Sequence, residues 1–279
     1  MPIEPCVFTD EVSPDFEEAV QLSVEAGATA MEIRGRLPGG SITTISDGDV
    51  EMMQAILAKL GARVGALGSP FGKCAMNNPE ELAQHQQYFD RMIELAGAFG
   101  TPIIRGFALW KPKETGPETE RPDLGPYLDR IIDFLKPAVQ KAEAAGVVLC
   151  LENEPSTMIG TCREARQVMD AVGGSPALAV AWDVNNGEYC GEAVLAEGYP
   201  LIRGRVRHVH VKPNKEKHMD TVAGSDVTYE AVFRALLADS YNGAASIEHW
   251  GSPELMLRGV GELVETLQRV EALGWGETG

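Results

Sequence analysis

VVLCLENEP, residues 147–155, opens as a run of apolar and β-branched side chains and closes in acidic and amide side chains. A short apolar run of this kind is typical of a strand that is buried on both faces of a parallel sheet. The pattern recurs along the whole chain. We count eight such runs, which are CVFT (6–9), AMEIR (30–34), RVGAL (63–67), PIIRGF (102–107), VVLCLEN (147–153), LAVAWDV (178–184), VRHVHVK (206–212) and AASIEHW (244–250).

The segments between these runs carry helix signals. Apolar residues recur at intervals of three and four in segments 79–99 and 122–145, as in a helix that packs against a sheet. Pro14 is expected to open the first long helix, because proline is favoured at the first helical position. Glycines that follow the predicted helix ends are Gly27, Gly61, Gly100, Gly146 and Gly274.

Strands that alternate with helices predict an α/β fold. Segment 111–126 is a polar, proline-rich loop, and no linker divides the chain, so we assign residues 1–279 to one domain. Eight β/α units favour a closed (β/α)8 TIM barrel over an open doubly wound sheet or two smaller domains. The absence of a glycine-rich phosphate motif after the first run also disfavours a dinucleotide-binding sheet.

The composition limits the classes of partner. Lys plus Arg number 24 against 41 Asp plus Glu, for a formal charge of −17, which disfavours nucleic acid and anionic membranes as partners. The five cysteines are odd in number and lack zinc-site or redox spacing, so reduced, mostly buried thiols are expected. With no leader pattern and no long apolar run, a cytoplasmic protein is expected. His85 and His218 are expected at the surface or in loops.

Four consecutive runs end in metal-ligand residue types, and in a barrel the carboxyl ends of the strands build the active site. These residues are Glu152, Asp183, His210 and Glu248. Burying them together would cost several kcal/mol per uncompensated charge, a cost that a bound divalent cation removes. The donor set favours Mn²⁺ or Mg²⁺, with Zn²⁺ or Co²⁺ as alternatives. The competing interpretation is that each side chain forms a separate salt bridge or helix cap.

For other polar residues near the predicted strand ends, the sequence gives weaker evidence of a role in the active site. His208 lies deeper than His210 on the same strand and is expected to be a core histidine, whereas His249 is expected to face outward. Arg105 and Lys212 are candidates to bind substrate oxygens, and a salt bridge to a site carboxylate is the alternative for both.

The segments VVLCLENEP, LAVAWDVNNG, VRHVHVK and ASIEHWG resemble, in order, the four metal-ligand strands of the xylose isomerase-like barrels. This family includes ketose 3-epimerases, hydroxypyruvate isomerases and inosose-processing enzymes, and the likeness spans essentially the whole chain. The resemblance implies that Glu152, Asp183, His210 and Glu248 hold one divalent ion and that Glu152 and Glu248 also act as acid and base. It implies an isomerase or epimerase of a sugar, keto-sugar or polyol derivative that works through a metal-stabilised enediolate.

Three alternatives share this scaffold. If a leaving group lies next to the enediolate, the same ligands serve a lyase or dehydratase acting on a keto-inositol or an oxidised glycoside. A sugar-binding protein without catalysis is another alternative. Apurinic endonucleases have a similar fold, but they need several metal ions and a basic surface, which a charge of −17 disfavours.

This chain departs from the pattern of many relatives at three positions. Asn186 stands where a substrate-binding His is common, Pro213 follows Lys212 in place of a carboxylate, and Met158 replaces the second Glu of ketose 3-epimerases. Glu154 is expected to supply a nearby carboxylate instead. We therefore predict a small-molecule sugar or polyol substrate, and homo-oligomers are compatible with the sequence. The predicted substrate-binding residues are Arg105, Glu154, Asn186 and Lys212.

Overall fold

The computed structural model describes residues 1–273. Eight parallel strands follow one another in sequence order around a closed barrel, which confirms the predicted fold class. The largest difference between a predicted and an observed strand boundary is at the last run, predicted over 244–250, where the strand ends at Ile247. The strands are β1 (Glu4–Phe8), β2 (Ala30–Ile33), β3 (Arg63–Gly68), β4 (Ile103–Gly106), β5 (Val148–Glu152), β6 (Leu178–Asp183), β7 (Val206–Val211) and β8 (Ala244–Ile247).

Helices connect successive strands. The predicted helix over 79–99 is confirmed in full, and the one over 122–145 begins later, at Leu128. The helices are α1 (Thr9–Val12), α2 (Phe16–Glu25), α3 (Asp47–Leu60), α4 (Pro79–Phe99), α5 (Leu128–Ala145), α6 (Cys162–Val172), α7 (Val184–Tyr189), α8 (Tyr199–Ile202), α9 (Tyr229–Ala238) and α10 (Pro253–Ala272). Segment 111–126 contains only short 3-10 turns, at Lys113–Thr115 and Gly125–Tyr127.

Local hydrogen bonds set the helix ends. The prediction that Pro14 opens α2 is wrong, because the Asp15 carboxylate accepts the backbone N–H of Glu18 at 2.9 Å and starts the helix at Phe16. Left-handed glycines follow α3, α4 and α5 at φ values of 67°, 68° and 69°, as predicted for Gly61, Gly100 and Gly146. Gly274 lies outside the described residues.

The described chain divides into two compact units, and the assignment of 1–279 to one domain stays a prediction. The first unit comprises Met1–Gly65 and the chain from Val209 onward. In it β1 pairs with both β2 and β8, and Cys6 lies opposite Ala30 and Ser246. The buried side chains of Cys6, Ala30 and Ala244 pack together. A Cβ on Gly65 would lie 3.1 Å from the Ala30 Cβ, so this layer takes only small residues.

The second unit, Ala66–His208, contains β4, β5 and β6 as paired neighbours. Arg105 lies opposite Cys150, and Glu152 lies opposite Ala181. Cys150, Ala179 and Ala181 form a buried cluster of small side chains. The parallel register therefore brings the polar ends of these strands to one edge of the sheet.

His85 corrects one expectation from the sequence. It lies buried on α4 rather than at the surface, and its Nδ1 accepts the backbone N–H of Gly72 at 3.1 Å. Burial lowers the pKa of His85, which favours the neutral imidazole that can accept this hydrogen bond.

The five cysteines are free thiols, as predicted, and four of them are buried. Burial raises the pKa of Cys74 to about 12 and that of Cys190 to about 11, so both thiols are protonated at neutral pH. Within residues 1–273, none of the helices combines the length and apolarity of a membrane span.

Gly72 is predicted to be a position that tolerates no side chain. Its φ is +84°, and an added Cβ would lie 1.9 Å from the carbonyl oxygen of Phe107. Gly72→Ala should lower the free energy of unfolding by about 3 kcal/mol or more, since overpacking adds to the cost of a left-handed residue. Urea denaturation measures this loss.

Gly146→Ala is the matched control, because Gly146 has a φ of +69° and nothing within 4 Å of an added Cβ. It should cost about 1–2 kcal/mol, the conformational cost alone. Equal losses in the two variants would contradict the steric explanation.

Candidate functional site

The four predicted ligand residues lie at the carboxyl ends of consecutive strands. Glu152 and Asp183 end β5 and β6, His210 is the next-to-last residue of β7, and Glu248 directly follows β8. None of the four is more than 2% exposed. Charged side chains this deeply buried need compensating partners.

In the unit Ala66–His208, Arg105 is the ion-pair partner of Glu152. Its Nη1 lies 2.9 Å from the Glu152 Oε2, and Arg105 is only 4% exposed. The guanidinium also lies 4.7 Å from the centroid of the Phe107 ring. The sequence left open whether Arg105 binds substrate oxygens or forms a salt bridge to a site carboxylate. In the structure it forms the salt bridge.

Asp183 is held by Asn153 and by the start of α7. The Asn153 side chain accepts the backbone N–H of Asp183 and donates to its carbonyl, both at 2.8 Å. The Oδ1 of Asp183 accepts the backbone N–H of Asn186 at 2.8 Å, as a helix cap. The Asn186 amide in turn donates to the Asn153 carbonyl at 3.0 Å. Asn186, predicted to bind substrate, therefore helps to fix the loop that orients Asp183.

Glu154 is partly exposed, just beyond β5. Its Oε1 accepts the hydroxyl of Ser156 at 3.0 Å, and its Oε2 lies 3.7 Å from the Nζ of Lys73. The same Lys73 ammonium lies 4.2 Å from the Phe107 ring centroid and 5.6 Å from that of Trp110. Glu154 and Lys73 form a polar pair in the same unit as Glu152.

In the other unit, cationic groups surround Glu248. The Nη1 of Arg34 lies 3.1 Å from its Oε1, and the Nζ of Lys212 lies 3.6 Å from its Oε2. Lys212, for which the same two alternatives were open, therefore forms a salt bridge to Glu248. The Nε2 of His249 lies 3.6 Å from Oε1, although His249 is more than half exposed, as expected for an outward residue. His249 also has a strained φ of +58°, which is rare for a residue with a side chain.

Arg34 is fixed by two further carboxylates. Its Nε lies 3.1 Å from Asp10, and its Nη2 lies 2.8 Å from Glu11. Burial opposes the charge of this guanidinium, but Asp10, Glu248 and Glu11 together raise the pKa of Arg34. The guanidinium therefore stays charged beside Glu248.

Glu32 is a buried carboxylate that the sequence did not identify as a partner of His210. It is fully buried on β2, and its Oε2 lies 3.3 Å from the Nε2 of His210. The Nδ1 of His210 faces the other way, 3.7 Å from the Glu248 Oε2. An acidic residue within the apolar run AMEIR was the available signal, because strands rarely bury a carboxylate without a partner. His208 is fully buried, as expected for a core histidine.

Carboxylates and imidazoles gather into groups that could hold a metal ion. Glu152 and Asp183 in the unit Ala66–His208, and His210 and Glu248 in the other unit, each offer a buried ligand atom. Three oxygen donors and one nitrogen donor suit a divalent cation of the Mn²⁺ or Mg²⁺ type. The donor set therefore fits the ion that the family resemblance implies.

The comparisons with known proteins agree with this fold. The family model of the xylose isomerase-like TIM barrel matches residues 20–271. A D-allulose 3-epimerase from Methylomonas sp. has a similar structure, with a TM-score of 0.74, 18% identity and 96% of each chain covered. A 3-keto-D-glucoside 4-epimerase from E. coli gives a TM-score of 0.71 and 20% identity over 98% of this chain and 99% of that chain.

A probable 3-DHS dehydratase from Bacillus anthracis is also similar, with a TM-score of 0.70 and 15% identity over 94% of this chain and 99% of that chain. At these identities each likeness shows the fold, and the structures compared are those of enzymes. The family model, in contrast, covers most of the sequence. The chain therefore belongs to the xylose isomerase-like TIM barrel family.

Proposed function

We propose that the chain is a divalent-metal-dependent isomerase or epimerase of a sugar, keto-sugar or polyol derivative. In this proposal Glu152 and Glu248 transfer the proton, and both bind the ion together with Asp183 and His210. The observation that carries it is that each of these four ligand-type side chains is buried at or beside the carboxyl end of its strand. Membership of the family supports the same class of enzyme.

Burial supports the need for a cation. Each of these three carboxylates has almost no exposure, so its negative charge is costly unless positive charge lies close to it. Arg105 contacts Glu152, and Arg34 contacts Glu248. When bound, the ion would supply Lewis-acid stabilisation of the negative charge that develops on substrate oxygens.

The two glutamates are suited to acid–base chemistry because each is held by an arginine through one oxygen. Arg105 contacts Oε2 of Glu152, and Arg34 contacts Oε1 of Glu248. A carboxylate whose orientation is fixed in this way can approach a C–H bond from a defined direction. One glutamate would remove the proton next to the carbonyl, and the other would return a proton to the enediolate.

The fate of that proton separates the reaction classes. Its return to the same carbon from the opposite face gives epimerisation, and its delivery to the neighbouring carbon gives isomerisation. Loss of a neighbouring hydroxyl or alkoxyl group from the enediolate would instead give a lyase. A finer assignment to ketose 3-epimerisation lacks support, because Met158 replaces the second Glu of those enzymes. Met158 is fully buried and has no carboxylate.

Metal binding is the first test. Wild-type protein that has been stripped with a chelator should bind Mn²⁺, and its melting temperature should rise when Mn²⁺ is added. Asp183→Asn should weaken Mn²⁺ binding by about 100-fold or more, because an amide is a poor ligand for a hard cation. Titration calorimetry measures both affinities.

Asparagine can still cap α7, so this variant should keep its fold. Asp170→Asn is the matched control, since Asp170 pairs with Arg166 on the exposed face of α6. A wild-type chain that binds none of Mn²⁺, Mg²⁺, Zn²⁺ and Co²⁺ would contradict the proposal.

Proton transfer is the second test. In D₂O with candidate keto-sugars, the wild-type enzyme should exchange a carbon-bound proton for deuterium, as followed by NMR. Glu152→Gln and Glu248→Gln should each slow this exchange by about 10²–10⁴-fold, the usual contribution of a positioned acid or base.

Glu94→Gln is the control, because Glu94 is exposed on α4 and pairs with Arg91. Exchange without an elimination product supports the isomerase or epimerase, whereas release of water or an aglycone supports the lyase. If Glu248→Gln exchanged at the wild-type rate, Glu248 would not be an acid–base residue.

A further inference from the structure

We infer that Glu32 is a positioning residue, which fixes the proton of His210 on Nε2 and turns Nδ1 toward the metal ligands. This inference rests on the proposed function, because it assigns a partner to one of the proposed ligands. Glu32 is on β2, a strand that supplies none of the four proposed ligands.

The contact between Glu32 and His210 is short and completely buried. The Nε2 of His210 lies 3.3 Å from Oε2 and 3.4 Å from Oε1 of Glu32, and neither side chain has any exposed surface. The ring of Phe8 packs edge-on against the imidazole, with 5.3 Å between ring centroids. The imidazole is therefore held both by a carboxylate and by an aromatic ring.

This arrangement decides which nitrogen carries the proton. Both oxygens of Glu32 lie within 3.4 Å of Nε2, and carboxylate oxygens accept hydrogen bonds, so we assign the donating proton to this nitrogen. With the proton on Nε2, the lone pair of a neutral imidazole is on Nδ1. That nitrogen is 3.7 Å from Oε2 of Glu248, which is itself a proposed ligand.

A ligand histidine whose second nitrogen donates to a carboxylate is oriented and made more basic by that contact. Glu32 also places a negative charge behind the imidazole, which strengthens the attraction of the ring for a cation. Loss of such a partner typically weakens metal affinity by about 10–100-fold. Glu32 would thus act through His210 without contacting the ion.

Glu32→Gln is the test variant, because glutamine keeps the size of the side chain and removes its charge. Its amide can donate or accept, so it no longer dictates the tautomer of His210. The dissociation constant for Mn²⁺, measured from the electron paramagnetic resonance signal of free Mn²⁺, should rise about 10–100-fold. This readout requires no substrate and no turnover.

Glu192→Gln is the matched control. Glu192 is a buried carboxylate that accepts the backbone N–H groups of Cys162 and Arg163, at 2.9 and 3.1 Å, at the start of α6. Its Mn²⁺ affinity should equal that of the wild type. Glu32→Asp provides a second variant, which keeps the charge and should weaken Mn²⁺ binding less than Glu32→Gln.

A second measurement separates this inference from the proposed function. In metal-free wild-type protein at alkaline pH, the ¹⁵N shifts of the His210 imidazole should report the proton on Nε2, and Glu32→Gln should shift the signals toward a mixture of tautomers. If the wild type bound no Mn²⁺, the proposed function would fail while this measurement still decided the role of Glu32. A wild-type proton on Nδ1, or unchanged Mn²⁺ affinity and tautomer in Glu32→Gln, would overturn the inference.

Discussion

Compensation of buried negative charge is the constraint on which this site depends. Glu152 and Glu248 have almost no contact with solvent, and each lies about one hydrogen-bond length from an arginine, Arg105 at 2.9 Å and Arg34 at 3.1 Å. A buried carboxylate is stable only when such partners replace its hydration shell. Arg105 does so for Glu152 in one unit, and Arg34 does so for Glu248 in the other.

The fold tolerates buried charge at the strand ends because packing of apolar side chains elsewhere in the barrel stabilises it. Small side chains such as Cys6, Ala30 and Ala244 pack together in one unit, and Cys150 packs with small residues in the other. Close packing of this kind contributes stability without polar groups. The carboxyl ends of the strands can then carry residues that destabilise the fold locally, as at His249 with its φ of +58°.

Contacts from strands without proposed ligands complete the arrangement. β2 places Glu32 against His210, Arg34 directly follows the same strand and contacts Glu248, and Arg105 comes from β4. The four proposed ligands therefore describe only part of the candidate site, because three of their side-chain neighbours come from other strands. Beyond the strand ends, Asn186 in α7 and Met158 after β5 are positions at which the sequence departs from the expected pattern.

The sequence by itself determined the eight strands, the barrel, the long helix at 79–99 and the four strand-end residues, because hydrophobic periodicity and strand polarity are local properties of the chain. It left open whether Arg105 and Lys212 form ion pairs, and it missed Glu32 as a partner of His210. It also placed His85 at the surface, although α4 buries it against the backbone of Gly72. These features join residues far apart in the chain, and Glu32 is separated from His210 by 178 positions. Only the closed arrangement of strands brings such pairs within hydrogen-bonding distance, because no local pattern encodes which side chains will face each other across the fold.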